Sequence, residues 1–213
     1  ETDVHATADG VLVAFHDERL DSVTDQRGRI AELPFAQVAR ARVGGRESVP
    51  LLTELLAEFP ETRFNVDIKA YAAAVPLWET IRRHDAYDRV CVGSFSNRTL
   101  WRFRRLSEGR VATAAGQLGT AALRFAPTLI SRWLHSPADV LQIPERAPIA
   151  QRDVELVTPQ LIERAHRHGK QVHVWTIDDP AAMVRLLDMG VDGIVSDAID
   201  VLRDVLVSRG QWH

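Results

Sequence analysis

QVHVWTIDDPAAMVRLLDMGVDGIVSD (residues 171–197) holds two short strand runs with one helix between them. QVHVW (171–175) is rich in valine, whose branched side chain suits a pleated surface. Asp179 stands as N-cap and Pro180 takes the first helical position, where its missing N–H costs nothing. Met183, Val184, Leu186 and Leu187 give the helix an apolar stripe, and Gly190 ends it. GIVSD (193–197) is the next strand. A strand, a capped helix and another strand at this spacing pair in parallel through a right-handed crossover.

The same grammar extends in both directions. Downstream, a helix runs through Val201, Leu202, Val205 and Leu206. Upstream, Thr158-Pro159 opens a helix faced by Leu161, Ile162 and Ala165, and Gly169 closes it. PLLTELLAEF (50–59) is helical, with Leu51, Leu52, Leu55, Leu56 and Phe59 on one side and Pro60 as the stop. RFNVDIK (63–69), RVCVGS (89–94), RVATA (110–114) and DVLQI (139–143) are strands, with helices around 74–84 and 97–107. The region 116–136 reads as helical with Pro127 interrupting it, and the first residues, ETDVHATADG, read as the end of a strand and a turn.

Seven strands alternating with helices predict a (β/α)8 TIM barrel, an α/β fold, that lacks its first βα unit in this chain. Such barrels run to about 250 residues, and the chain has 213. A doubly wound open sheet calls for a Gly-rich phosphate turn after its first strand, and the sequence has none. No linker-like stretch divides the chain, so residues 1–213 read as a single domain. The chain opens on Glu1 with no signal segment; the expectation is that an upstream segment was removed or never included, the alternative being a processed native terminus.

Composition excludes several classes. Apolar residues make up 46% and charged residues 26%, a globular balance. No apolar run approaches the roughly 18–20 residues of a membrane span. A net charge of −3, a pI near 6.3 and the absence of an evident basic cluster argue against nucleic acid as a partner. The single cysteine, Cys91, rules out an internal disulfide; a cytoplasmic location fits, as does secretion without disulfides. Oligomeric state leaves no mark in the sequence.

In a barrel of this kind the chemistry sits at the C-terminal ends of the strands. Glu1 and Asp3 stand two apart and share a face, as do Asn65, Asp67 and Lys69 on another strand. Ser94, Gln142, Trp175 and Asp197 lie at or near other strand ends. Glu1, Asp3 and Asp67 can converge, and buried carboxylates repel unless a cation or a basic side chain intervenes. Two readings follow: a salt-bridge cluster with Lys69, or a site for one hard divalent cation, Mg²⁺ or Ca²⁺. Asp9-Gly10 turns the chain back after the first strand, which carries His16 toward Glu1 and Asp3. His16 is thus either a surface histidine or a proton donor to a leaving alkoxide. Trp175 is either core or an apolar wall for a substrate. His5 and His173 lie in strands as core residues or site neighbours; His166 and His168 belong to an outer helix, and His84, His135 and His213 hold less promise.

Together these residues resemble the glycerophosphodiester phosphodiesterase family. ETDVHATADGVLVAFHDERLDSVTDQRGRIAEL (1–33) carries that family's Glu-x-Asp pair, Asp-Gly turn and His-Asp dipeptide in order. VPLLTELL (49–56), NVDIK (65–69), GSFS (93–96), VHVWTIDDP (172–180) and GVDGIVSD (190–197) extend the resemblance along the chain. It implies a (β/α)8 barrel that binds one divalent cation and hydrolyses small glycerophosphodiesters to glycerol 3-phosphate and an alcohol. It implies Glu1, Asp3 and Asp67 as metal ligands, His16 as one of two catalytic histidines, Lys69 on the phosphate and Trp175 in the substrate pocket. The family's upstream His-Arg-Gly and Glu-Asn motifs do not occur in this sequence, which leaves the activity of the chain by itself open. Asp67 stands where the family usually has glutamate, and Ser22 where an arginine is common. Alternatives are a lysophospholipase D or phosphoinositide-type phosphodiesterase, or a non-catalytic barrel that binds a phosphorylated ligand. Short connections, with no long insertion and no amphipathic membrane helix in view, favour small soluble substrates.

Overall fold

A computed structural model of the chain describes residues 1–125, 136–149 and 151–212. These fall into two compact units, Glu1–Gly116 and Gln117–His213.

The first unit opens with a hairpin. Strand β1 (Thr2–Ala6) returns through Asp9-Gly10 as β2 (Leu12–Ala14), with Val4 opposite Ala14 and Ala6 opposite Leu12. Gly10 sits at φ +81°, a conformation glycine adopts without a side-chain penalty. Asp9 ties the turn down: its carboxylate accepts from Thr7 Oγ1 at 2.6 Å and from the N–H of Phe35 at 2.9 Å. Phe35 begins the short helix α1 (Phe35–Val38), which precedes a small hairpin of β3 (Arg42–Val43) and β4 (Glu47–Ser48). Then come α2 (Leu52–Glu58), β5 (Phe64–Ile68), α3 (Ala74–Arg83), β6 (Val90–Gly93), α4 (Asn97–Ser107) and β7 (Ala112–Thr113). The sheet order is β2-β1-β5-β6-β7; β1, β5, β6 and β7 pair in parallel.

Two apolar clusters hold this unit. One packs Val4, Val66, Ile68 and Val92 of the strands against Leu52, Leu56, Leu77, Ile81 and Phe103 of the helices. The other lies under the connection after β2 and gathers Val13, Phe15, Leu20, Ile30, Val38, Ala41 and Val49. Phe15 and Leu20 are buried on either side of exposed His16, so this second cluster fixes the loop that presents the imidazole.

In the second unit α5 (Gln117–Phe125) precedes β8 (Val140–Pro144), a hairpin of β9 (Arg146–Ile149) and β10 (Arg152–Glu155), and α6 (Pro159–Arg167). Then β11 (Gln171–Trp175), α7 (Pro180–Met189), β12 (Gly193–Ile194) and α8 (Ile199–Ser208) follow. β8, β11 and β12 pair in parallel, in the order β12-β11-β8. The expected caps form: Thr158 accepts from the N–H of Leu161, Asp179 from that of Ala182, and Gly190 adopts φ +97°.

The four and three parallel strands are the seven expected from sequence. Several details differ. GIVSD shortens to Gly193–Ile194 and RVATA to Ala112–Thr113. Phe59 and Val184, expected on buried faces, are exposed. Phe59 lies just past the end of α2, where the helical periodicity no longer applies. VLVAF contributes a strand, and the β3–β4 and β9–β10 hairpins had no counterpart in the sequence reading. Of the expected helix at 116–136, Gln117–Phe125 is helical; Pro127 lies outside the described residues, as do His135 and His213.

Candidate active site

β1 and β5 lie side by side with Asp3 opposite Asp67. In-register residues of a parallel pair point to the same face, so the two carboxylates stand together. β1 runs on past this level into the hairpin, whereas β5 ends one residue after Asp67, at Ile68. Lys69, two residues after Asp67, returns its side chain over the same spot: Nζ lies 2.8 Å from Asp3 Oδ1 and 3.1 Å from Asp67 Oδ2. The hairpin delivers His16, whose Nε2 lies 3.9 Å from Asp3 Oδ2. Glu1 precedes β1 and interacts electrostatically with Asp3, Lys69 and Asp67. The structure thus brings Glu1, Asp3, Asp67, Lys69 and His16 to one place. Trp175 belongs to the second unit, where it ends β11 beside a cavity of about 440 Å³ lined also by Pro144, Arg146 and Ile177.

The electrostatics are those of an undercompensated cluster. Burial pushes the Asp67 carboxyl above its ordinary value, against the pull of Lys69. Burial, reinforced by Asp3, likewise raises Glu1. Burial works to lower Lys69, but the hydrogen bond to Asp3 and the charge of Asp67 outweigh it and its pKa is raised. Three carboxylates face one ammonium. Asp67 Oδ2 is buried, and its contact with Lys69 lacks the direction of a hydrogen bond.

That oxygen tests whether a divalent cation suits the site. An oxygen-only, net negative donor set with one poorly satisfied carboxylate oxygen fits a hard cation. Among the described residues no three His, Cys, Asp or Glu side chains are drawn together as a metal cage. Lys69 occupies the space between two of the three carboxylates, so both readings of the sequence meet in one geometry: the salt bridge is present, and the charge imbalance remains.

Other participants had no role assigned from the sequence, which left His5 as a core residue or site neighbour and Ser22 as a departure from the family pattern. His16 Nδ1 lies 2.6 Å from Asp17 Oδ1, and Ser22 donates its hydroxyl to Asp17 Oδ2. Asp17 is held below the usual carboxylate range by Ser22 first and His16 second. With its Nδ1–H given to a carboxylate, a neutral His16 carries its lone pair on Nε2, the nitrogen nearer Asp3. Ser22, which departs from the family pattern, thus braces the aspartate that orients His16. Leu20, between them in sequence, is fully buried, a tertiary fact that spacing does not disclose. His5, two residues after Asp3, is buried and donates from Nε2 to the carbonyl of His16 at 3.2 Å; burial lowers its pKa. A cavity of about 210 Å³ opens here, lined by His5, His16, Glu18, Arg29 and Lys69. Of the remaining strand-end residues, Ser94 donates to the carbonyl of Ile68 at 2.7 Å and ties β6 to β5.

Carboxylates, an ammonium and an oriented imidazole beside a cavity that His16 and Lys69 line, on an α/β scaffold of parallel strands, define a class of site that can bind an anion and move a proton. The model of the glycerophosphoryl diester phosphodiesterase family matches residues 1–201, and the chain belongs to that family. It is 43% identical over 216 residues to the probable glycerophosphodiester phosphodiesterase 2 of Mycobacterium tuberculosis, spanning 100% of this chain and 80% of that protein. The crystal structure of a glycerophosphodiester phosphodiesterase from Parabacteroides distasonis has a TM-score of 0.78 at 22% identity, covering 99% of this chain and 84% of that one. An Oleispira antarctica phosphodiesterase in complex with the product sn-glycerol-3-phosphate has a TM-score of 0.77 at 20% identity, covering 97% and 83%. The fold is the (β/α)8 barrel class of these enzymes.

Proposed function

We propose that this protein hydrolyses glycerophosphodiesters to glycerol 3-phosphate and an alcohol, with Glu1, Asp3 and Asp67 holding one divalent cation, Mg²⁺ or Ca²⁺. The observation that carries this reading is the register of Asp3 with Asp67, Lys69 lying between them and His16 Nε2 3.9 Å from Asp3, in a chain of this family. Bound there, the cation would withdraw charge from a phosphoryl oxygen. Lys69 binds the phosphate through its ammonium once a substrate draws it from the aspartates. An oxygen of water or of the substrate's own hydroxyl bonds to phosphorus and loses its proton to a base, while His16, held through Nδ1 by Asp17, gives a proton from Nε2 to the leaving alkoxide as its P–O bond breaks. Trp175 offers an indole to an apolar part of the substrate.

The experiment is release of glycerol 3-phosphate from glycerophosphocholine and glycerophosphoethanolamine, with Mg²⁺ and with Ca²⁺. Turnover that a chelator removes and either cation restores supports the reading. A folded protein that releases none with either cation refutes it in favour of a binding barrel.

A further inference from the structure

Helix α4 divides sharply into two faces. Thr99, Leu100, Phe103 and Ser107 are buried, while Arg98, Trp101, Arg102 and Arg105 form a stripe at helical spacing on the other side. Trp101 is 60% exposed, and beside the stripe stand Phe95, 58% exposed, and Tyr71, 40% exposed. The guanidinium carbons of Arg98 and Arg102 lie 4.4 and 4.3 Å from the Tyr71 ring centroid, and that of Arg105 lies 4.7 Å from that of Trp101. Among the described residues no carboxylate pairs with these three arginines; the nearby Glu108 contacts Arg110 at 3.9 Å. The helix itself contains no acidic residue. Apart from Tyr71 these side chains fall within residues 95–105, and the fold joins them into one cationic, aromatic patch. It borders the candidate site, since the Phe95 ring lies 5.8 Å from Lys69 Nζ.

We propose that this face of α4, with Tyr71 and Phe95, docks on a membrane surface rich in anionic phospholipid. Guanidiniums meet lipid phosphates while Trp101 and Phe95 enter the headgroup region, the pairing expected of an interfacial helix. A single-stranded nucleic acid fits less well, because guanidiniums already sit against the Tyr71 and Trp101 rings on which bases would stack. The net charge of −3 does not oppose docking, because exposed charges are screened beyond about 10 Å in 0.1 M salt.

The test is pelleting of the full-length protein with vesicles of mixed phosphatidylglycerol and phosphatidylcholine, and with phosphatidylcholine alone. Pelleting only with the mixed vesicles is expected, weakened by salt. Charge reversal in R98E/R102E/R105E should reduce affinity by about fivefold or more per arginine. Trp101→Ala, which keeps the charge, should also weaken it; Arg105→Gln serves if the triple variant misfolds. Hydrolysis of soluble glycerophosphocholine should be unchanged in all of them, so the docking and the proposed activity fail separately. No pelleting of folded wild type, equal pelleting of the variants, or capture of single-stranded RNA in place of vesicles would overturn the proposal.

Discussion

Carboxylates near the strand ends of the two units are set in opposite ways. In the second unit Asp178 Oδ1 accepts from Ser196 Oγ at 2.9 Å and from the N–H groups of Asp197 and Ala198 at 2.9 and 3.3 Å. These bonds, Ser196 first, hold its carboxyl below the ordinary range. Asp192 Oδ2 accepts from the N–H of Val172 and pairs with His166, both at 2.8 Å. In the first unit Asp67 and Glu1 are pushed up by burial, and one lysine, paired with Asp3 and Asp67, serves three carboxylates. Hydroxyl, imidazole and backbone donors satisfy the second set, which braces loops. The first set is held against its electrostatic preference, which marks it as the candidate binding site.

The sharpest way to break this contrast is to compare two histidines that each contact an aspartate. His16→Ala should lower glycerol 3-phosphate release by about 10²–10⁴-fold, the usual loss of a general acid or base, with the fold intact by circular dichroism. His166→Ala should leave turnover alone and lower thermal stability. Wild-type turnover in His16→Ala would take His16 out of the mechanism. Next in size is the carboxylate pair. Asp67→Asn should abolish Mg²⁺ or Ca²⁺ binding in calorimetry while holding or raising the melting temperature of the metal-free protein, because a poorly compensated charge is gone. Asp178→Asn should lower the melting temperature and leave cation binding unchanged. If both substitutions move stability the same way, the opposition between the two sets is wrong.

The strands and the first unit's carboxylates were legible in the sequence; the second unit's Asp178 and Asp192 were not singled out. Valine-rich runs between capped helices announced the parallel strands, since Thr158, Asp179 and Gly190 act locally and need no tertiary context. The two-residue spacings of Glu1 with Asp3 and Asp67 with Lys69 gave shared faces. Their convergence depended on register, and the Asp3–Asp67 pairing is a property of two strands some sixty residues apart. The β3–β4 and β9–β10 hairpins escaped notice because their residues are mostly exposed or half-buried and show no apolar alternation. The arginine stripe of α4 escaped because net charge averages over the whole chain, whereas a patch is made by one helix face.

A third comparison concerns acid. Burial lowers His173 below its usual value near 6.5, with Asp192 pulling weakly the other way, and its ring packs directly over Gly193. The folded state therefore prefers the neutral ring. This contribution is fully present above pH 6.5 and is lost as the pH falls from there through the depressed folded value. Urea midpoints should drop between neutral and mildly acidic solution, and His173→Gln should flatten part of that drop. A slope unchanged in the variant would place the acid sensitivity elsewhere.

The smallest effect tests the finest feature of the first unit. Ser22 touches neither the aspartate pair nor Lys69; it reaches His16 only through Asp17. Losing its hydroxyl removes one hydrogen bond to a charged acceptor. Because Asp17 is exposed, water replaces much of that bond, and the expected loss in kcat is a few-fold at most. KM should not move, since Ser22 lines no cavity wall described above. Ser22→Thr, which keeps the hydroxyl, should recover the rate, whereas Asp17→Asn should cost more than Ser22→Ala because it weakens the hold on Nδ1 itself. A Ser22→Ala variant that changed KM but not kcat would mean that the serine shapes the loop rather than the imidazole, and the line from Ser22 through Asp17 to His16 would then be packing without chemistry.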